Sequence, residues 1–228
     1  MKLNNIVNNK LINYIEENVF PLYDLNEKGH GIDHINYVIR RSIEFAKEAA
    51  KINDINYDMV YVIATYHDVG HHIDAKNHEK VSADIMFNDL NLKEFFDDEE
   101  IIIMKEAIEE HRSSLVGDPT TIYGKIVVSA DHNISYEKPF LRTYSYRVKN
   151  FPNSTLDEII EDSRQHLISK YGKDNGYANS KHYFSDEEFD KHIEELNKIL
   201  NDKDLFRKTF IEINKIERGK ELCLKNQK

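Results

Sequence analysis

The 228-residue chain carries 31 Lys and Arg against 41 Asp and Glu, a formal net charge of −10, with 40% hydrophobic residues. That length and apolar content suit one large domain or one domain with an extension. The acidic balance disfavours general nucleic-acid binding by repelling phosphate backbones, although a small phosphorylated ligand stays allowed where a bound cation reverses the local field. The single cysteine, Cys223, excludes a disulfide framework and a thiolate zinc site. The first twenty residues are interrupted by Asn and Glu, so no signal-peptide core is expected there. No run is long and apolar enough to span a bilayer, and a cytoplasmic protein is expected. The N-x-[ST] triplets Asn133-Ile134-Ser135 and Asn153-Ser154-Thr155 are then expected to be chance.

With 8 Gly and 4 Pro, turn signals are sparse and the helical period dominates. A helix is predicted over about 3–19, stopped by Pro21. The loop NEKGHGI leads into a second helix at about 33–51, and Asp54 and Asn56 mark a turn. A third helix starts near 58 and ends in ATYHDVGHH (64–72), where His67 and Asp68 close an apolar segment. Gly70 is expected to let the chain turn so that His71 faces the same hollow. Further helices are predicted near 79–90, 98–112, 120–134, 155–171, 186–200 and 203–217. The β-prone runs IIIM (101–104) and IVVS (126–129) lie within helix-period stripes. The acids of FFDDEE (95–100) suit a helix N-terminus. The fold class expected is all-α, with residues 1–138 as one helical domain and 139–228 as a C-terminal helical extension packed on the same core.

Four predicted helices carry a metal-ligand type of side chain on an inward face. His34 shares its face with Val38, Phe45 and Ala49, and His67 follows Val60, Ile63 and Ala64. His111 follows Ile101, Met104, Ala107 and Ile108, and Asp131 follows Tyr123, Val127 and Ala130. Each alone reads as a satisfied core polar group. Together they would need several separate partners, whereas one shared cation satisfies them at once. Asp68 lies about 100° round the helix from His67, so both can converge on an ion between helices.

The order His34, His67-Asp68, Asp131 resembles the H…HD…D pattern of the HD-domain metal-dependent phosphohydrolases. The surrounding segments GHGIDHINYV (29–38), HDVGH (67–71) and GKIVVSADH (124–132) resemble that family's motif contexts over roughly 25–140. The resemblance implies a helical bundle holding a divalent ion (Mn, Fe, Co, Ni, Mg or Zn) on His34, His67, Asp68 and Asp131. Water activated by the ion would serve as nucleophile. It also implies a possible second ion on His78 and His111 with Asp68 bridging, although this chain has Glu110-His111 where some dinuclear members have two histidines. Without that ion, His78 is a loop residue and His111 a phosphate contact. Asp68 would orient the water and His71 would assist the leaving group or orient phosphate. Lys125 and Arg112 are candidate phosphate contacts. His72 is expected to be solvated, and Arg142 and Arg147 either close over an anionic substrate or, the preferred reading, pair with acidic side chains.

Other motifs fail. GDPTTIYGKI has its glycines too far apart for a P-loop, HEKVS has Ser82 where a zincin needs its second His, and no G-x-S-x-G occurs. The expected function is metal-dependent hydrolysis of a small phosphate ester such as a nucleotide, with no nucleic-acid or membrane partner. The alternatives are a non-catalytic module holding a metal and a phosphorylated signal, and a di-iron oxidative site.

Overall fold

Residue identity at the helix ends explains most of the boundaries in the computed structural model, which describes residues 3–26, 30–114, 116–132, 135, 137–174 and 176–216. Cys223, residue 217 of the last predicted helix, 27–29 of the NEKGHGI loop and the first two residues of the triplet at 133–135 lie outside the described residues. Ten α-helices, four short 3-10 helices and no strand occur among the described residues. The β-prone runs are helical.

Helix α1 is Asn9–Asn18 rather than 3–19, because the Asn8 side chain caps it by accepting from the Lys10 amide. A 3-10 segment, Phe20–Leu25, follows and leads to α2, Ile32–Ala49. Helix α3, Tyr57–Tyr66, starts at the Asn56 cap, and every residue from Met59 to Tyr66 is buried. A helix apolar on all sides belongs at the centre of a bundle. It packs on α1, α2, α4 (His78–Phe87), α5 (Asp98–Glu109) and α6 (Ile122–Ala130). The FFDDEE run opens α5 with a capping box between Asp97 and Glu100, and Thr121 caps α6 by accepting from the Gly124 amide.

These helices form the first compact unit, residues 1–132 together with 181–184. The returning segment Lys181–Phe184 was not anticipated. Phe184 stacks on Phe45 at 5.2 Å between centroids, and the Tyr183 hydroxyl donates to Asp118 at 2.6 Å. Ser129 Oγ accepts from the Tyr183 amide and donates to the Lys181 carbonyl.

The second unit, residues 133–180 and 185–228, is built from α7 (Lys138–Asn150), α8 (Leu156–Tyr171), α9 (Glu187–Asn201) and α10 (Lys203–Ile213). Helix α7 is absent from the sequence prediction, since KPFLRTYSYRVKN buries only Pro139, Phe140 and Thr143 and shows a weak stripe. The apolar residues of this unit form their own cluster around Phe140, Leu196, Phe206 and Phe210. The division between the units falls at 132, close to the expected 138, and within the second unit α7–α10 satisfy one another's apolar faces. Buried Arg164 supports this cluster by donating to the Leu200 carbonyl at 2.7 Å while pairing with Glu161. Arg147 pairs with Asp162 at 3.0 Å, the structural role expected of it.

Candidate metal centre

The residues singled out in the sequence occupy helix ends in the first unit. His34 lies in the first turn of α2, and His67 caps the end of α3 with Asp68 next in line. His78 opens α4, His111 lies just past the end of α5, and Asp131 caps α6. Five segments far apart in the chain thus bring imidazoles and carboxylates together. His34, His67 and Asp131 each offer a ligand atom within 4.8 Å of the others, as do His67, Asp68 and His111, and His30, His34 and Asp68.

Local hydrogen bonds orient three of the rings. His67 Nδ1 bonds the Ala64 carbonyl at 2.9 Å, His78 Nδ1 the Ala75 carbonyl at 3.1 Å, and His111 Nδ1 the Ile108 carbonyl at 2.7 Å. A carbonyl only accepts, so each Nδ1 carries the proton. In the neutral ring, each Nε2 then presents a lone pair to the cluster. For α3 and α5 the same bonds satisfy last-turn carbonyls, and so the ring that serves the site also ends the helix.

Asp68 lies between two groups of nitrogens. Its Oδ2 is 3.6 Å from His34 Nε2 and 3.7 Å from His67 Nε2, whereas Oδ1 is 3.2 Å from His78 Nε2 and 3.7 Å from His111 Nε2. Asp131 Oδ1 completes the first group, 3.1 Å from His34 Nε2 and 3.8 Å from His67 Nε2. Nevertheless, His34 Nε2 and His67 Nε2 are buried atoms without a hydrogen bond, because the nearby carboxylate oxygens are misaligned or too distant. On the other side, His78 Nε2 and His111 Nε2 face each other at 3.2 Å.

The electrostatics are those of a cation site. Burial opposes ionisation of Asp68, but His67, His111 and His30 hold its carboxyl well below the usual range. Burial likewise opposes ionisation of Asp131, and His34 and His67 outweigh it. Burial also works against a charge on His67, yet the pull of Asp68 and Asp131 pushes it up to about 9. His78 goes the other way, to about 4, through burial and the neighbouring His111. Two clustered carboxylates with inward nitrogen lone pairs are costly to bury without positive charge. A divalent ion supplies that charge and gives the buried nitrogens a partner, so the donor set fits the expected metal. Nitrogen and carboxylate donors are compatible with several divalent metals and single out none.

His71 is buried and joins the cluster from the loop after α3. Its ring stacks on His30 at 3.9 Å and lies 5.2 Å from His78. Gly70 allows this by close packing. A Cβ there would lie 2.6 Å from Val81 Cγ1 and 2.9 Å from the Ser82 amide. Approach of α4, rather than a sharp turn, is therefore what demands glycine. His78 is the first residue of α4 rather than a loop residue before it. His72 is exposed, as expected, and its amide donates to Asn26.

Of the two phosphate-contact candidates, Arg112 has polar partners within the protein, and Lys125 lies near an aromatic ring. Arg112 donates to the Lys76 carbonyl at 2.6 Å and pairs with buried Glu79 at 3.2 Å. Lys125 Nζ lies 5.7 Å from the Tyr183 ring centroid, about six helical residues before Asp131 and so roughly 9 Å along α6. The sequence reading missed His30, whose Nδ1 is 2.6 Å from Asp68 Oδ2, and Asn26, which bonds the Asp68 carbonyl. His30 lies four residues before His34 in GHGIDH, in the loop ahead of α2. That spacing was the available signal.

Residues 38–133 match the family model described as HD domain, a stretch containing His67, Asp68, His78, His111 and Asp131 and beginning just after His34. That stretch is thus similar to an HD domain, and the described residues have the all-α fold that the H…HD…D pattern implied. No curated protein and no solved structure matches it. Among the described residues, no helix is long and apolar enough to cross a membrane.

Proposed function

We propose that this protein is a divalent-metal-dependent phosphohydrolase acting on a small phosphate ester, with two ions bridged by Asp68. The observation that carries this reading is the division of the Asp68 carboxylate, Oδ2 toward His34 and His67 and Oδ1 toward His78 and His111. His34, His67, Asp68 and Asp131 would hold one ion, and Asp68, His78 and His111 the other. When bound, such ions supply an acidified water and charge neutralisation for phosphoryl oxygens.

The protein's own groups supply the rest. Asp131 keeps 29% of its side chain exposed and His30 22%, against 3% for Asp68, so the cluster opens to solvent along their edge. A phosphate ester entering there would meet the donor atoms without displacing the bundle. His71, buried against His30, would hand a proton to the leaving oxygen. A net charge of −10 disfavours long polyanions, so a nucleotide or similar small ester is the substrate class. A soluble cytoplasmic enzyme without a membrane or nucleic-acid partner is part of this reading.

The test is elemental analysis of protein purified without chelator, followed by a phosphomonoester and phosphodiester panel assayed with Mn, Fe, Co, Ni, Mg and Zn. Metal-dependent product formation on at least one small ester is expected. Binding of phosphorylated compounds with no product under any metal would overturn the reading in favour of a sensing module.

A further inference from the structure

Asp68 must present its two oxygens in two directions, and the ligand histidines alone do not fix its side-chain torsion. Three observations identify what does. First, His30 Nδ1 lies 2.6 Å from Asp68 Oδ2, the shortest of the contacts to that carboxylate described above. An ionised carboxylate only accepts, so the nitrogen facing it carries the proton and donates. Second, the His30 ring lies on the His71 ring at 3.9 Å with planes 15° apart, which restricts its rotation. Third, Asn26 ties both backbones together. Its Nδ2 donates to the His30 carbonyl at 3.0 Å and to the Asp68 carbonyl at 2.9 Å, and its Oδ1 accepts from the His72 amide at 3.0 Å. His30 and Asp68 are therefore held in register by main chain, ring stacking and a charge-assisted hydrogen bond.

We propose that His30 is a positioning residue of the metal centre: by donating from Nδ1 to Oδ2 of Asp68, it holds that carboxylate with Oδ1 turned toward His78 and His111. This rests on the reading of Asp68 as a bridge between two ions. His30 lies in the loop before α2 and, like His34, outside the stretch matched to the HD domain. With the donor removed, Asp68 can rotate away and both ions lose a shared ligand. With a donor restored at the same reach, the bridge returns. The amide nitrogen of Asn is close to the position of Nδ1 in His, so His30→Asn tests donation apart from the imidazole.

The experiment is Mn2+ titration of the wild type, His30→Leu and His30→Asn, followed by electron paramagnetic resonance and elemental analysis. Circular dichroism of the metal-free proteins serves as the folding control. The wild type is expected to take two ions with an exchange-coupled signal. His30→Leu is expected to bind Mn2+ about 10–100-fold more weakly and to show uncoupled Mn2+, as outer partners of metal ligands typically do when removed. His30→Asn is expected to recover most of the affinity and the coupling. The inference is overturned if His30→Leu matches the wild type in affinity and coupling, or if His30→Asn is no better than His30→Leu. A wild type that takes fewer than two ions overturns the bridging reading itself, and the inference with it.

Discussion

His78 Nε2 and His111 Nε2 face each other at 3.2 Å while the Nδ1 of each ring bonds a backbone carbonyl three residues earlier. The carbonyl bonds fix both Nδ1 atoms as donors, so in neutral rings both Nε2 atoms are acceptors. Two lone pairs at that separation repel unless a cation lies between them or one ring is protonated. His78 is pushed down to about 4 by burial and by the neighbouring His111, which disfavours a proton on His78 Nε2 and leaves its lone pair open to a cation.

Replacing His111 with Ala should therefore remove one ion and leave the other. Elemental analysis should fall from about two ions to about one per chain, with His34, His67, Asp68 and Asp131 still occupied. Unchanged stoichiometry would show that His111 serves packing alone.

Asp68→Ala should lose both ions, because both groups of nitrogens depend on this one carboxylate. Hydrolysis of a responsive ester should fall by at least about 10²-fold, the scale of a lost metal interaction. Far-ultraviolet circular dichroism should retain its helical signal, since α3 is buried by its apolar residues rather than by Asp68. Activity at the wild-type level after metal stripping would end the phosphohydrolase reading.

Metal binding should depend on pH through His67. Although burial disfavours its charged form, Asp68 and Asp131 push it up to about 9 in the metal-free protein, from 6.5 in a free side chain. The folded state thus binds this proton more tightly than the unfolded chain. The resulting stability is complete below about pH 6.5 and is lost as the pH rises through about 9. The ion needs the neutral Nε2, so it displaces that proton. Apparent Mn2+ affinity should rise from pH 6.5 to 9 and level off above. Calorimetry near pH 7.5 in two buffers of different ionisation heat should report release of about one proton. An affinity flat across that range would exclude His67 as a ligand.

Gly70→Ala should destabilise the first unit by about 1–3 kcal/mol, the usual scale of overpacking. The added carbon meets Val81 and the Ser82 amide, and the Gly70 amide would be pushed off Ser82 Oγ, now 2.9 Å away. Thermal unfolding should shift down by several degrees. An unchanged midpoint would mean that α4 yields easily.

The helical period and the apolar stripes are local properties, and the strings from α2 to α6 carried them openly. Asn8, Asn56, Asp97 and Thr121 set helix starts by bonding amides within three residues. The run KPFLRTYSYRVKN hid α7, because the burial of its Phe140 depends on Phe206 and Phe210, far along the chain. The segment Lys181–Phe184 has no local signal of its place in the first unit. Arg112 looked available to a phosphate because Glu79, its partner, lies 33 residues earlier, on α4.

By itself, the order of side chains determined an all-α fold, its likeness to an HD domain and the residues suited to an ion, since these follow from spacing along single helices. Only the tertiary structure decided that Asp68 divides its oxygens between two histidine groups, that His30 grips it, and that α7–α10 keep a core of their own. Each of these depends on which helix ends and faces meet, and that is set by packing between elements remote in the chain.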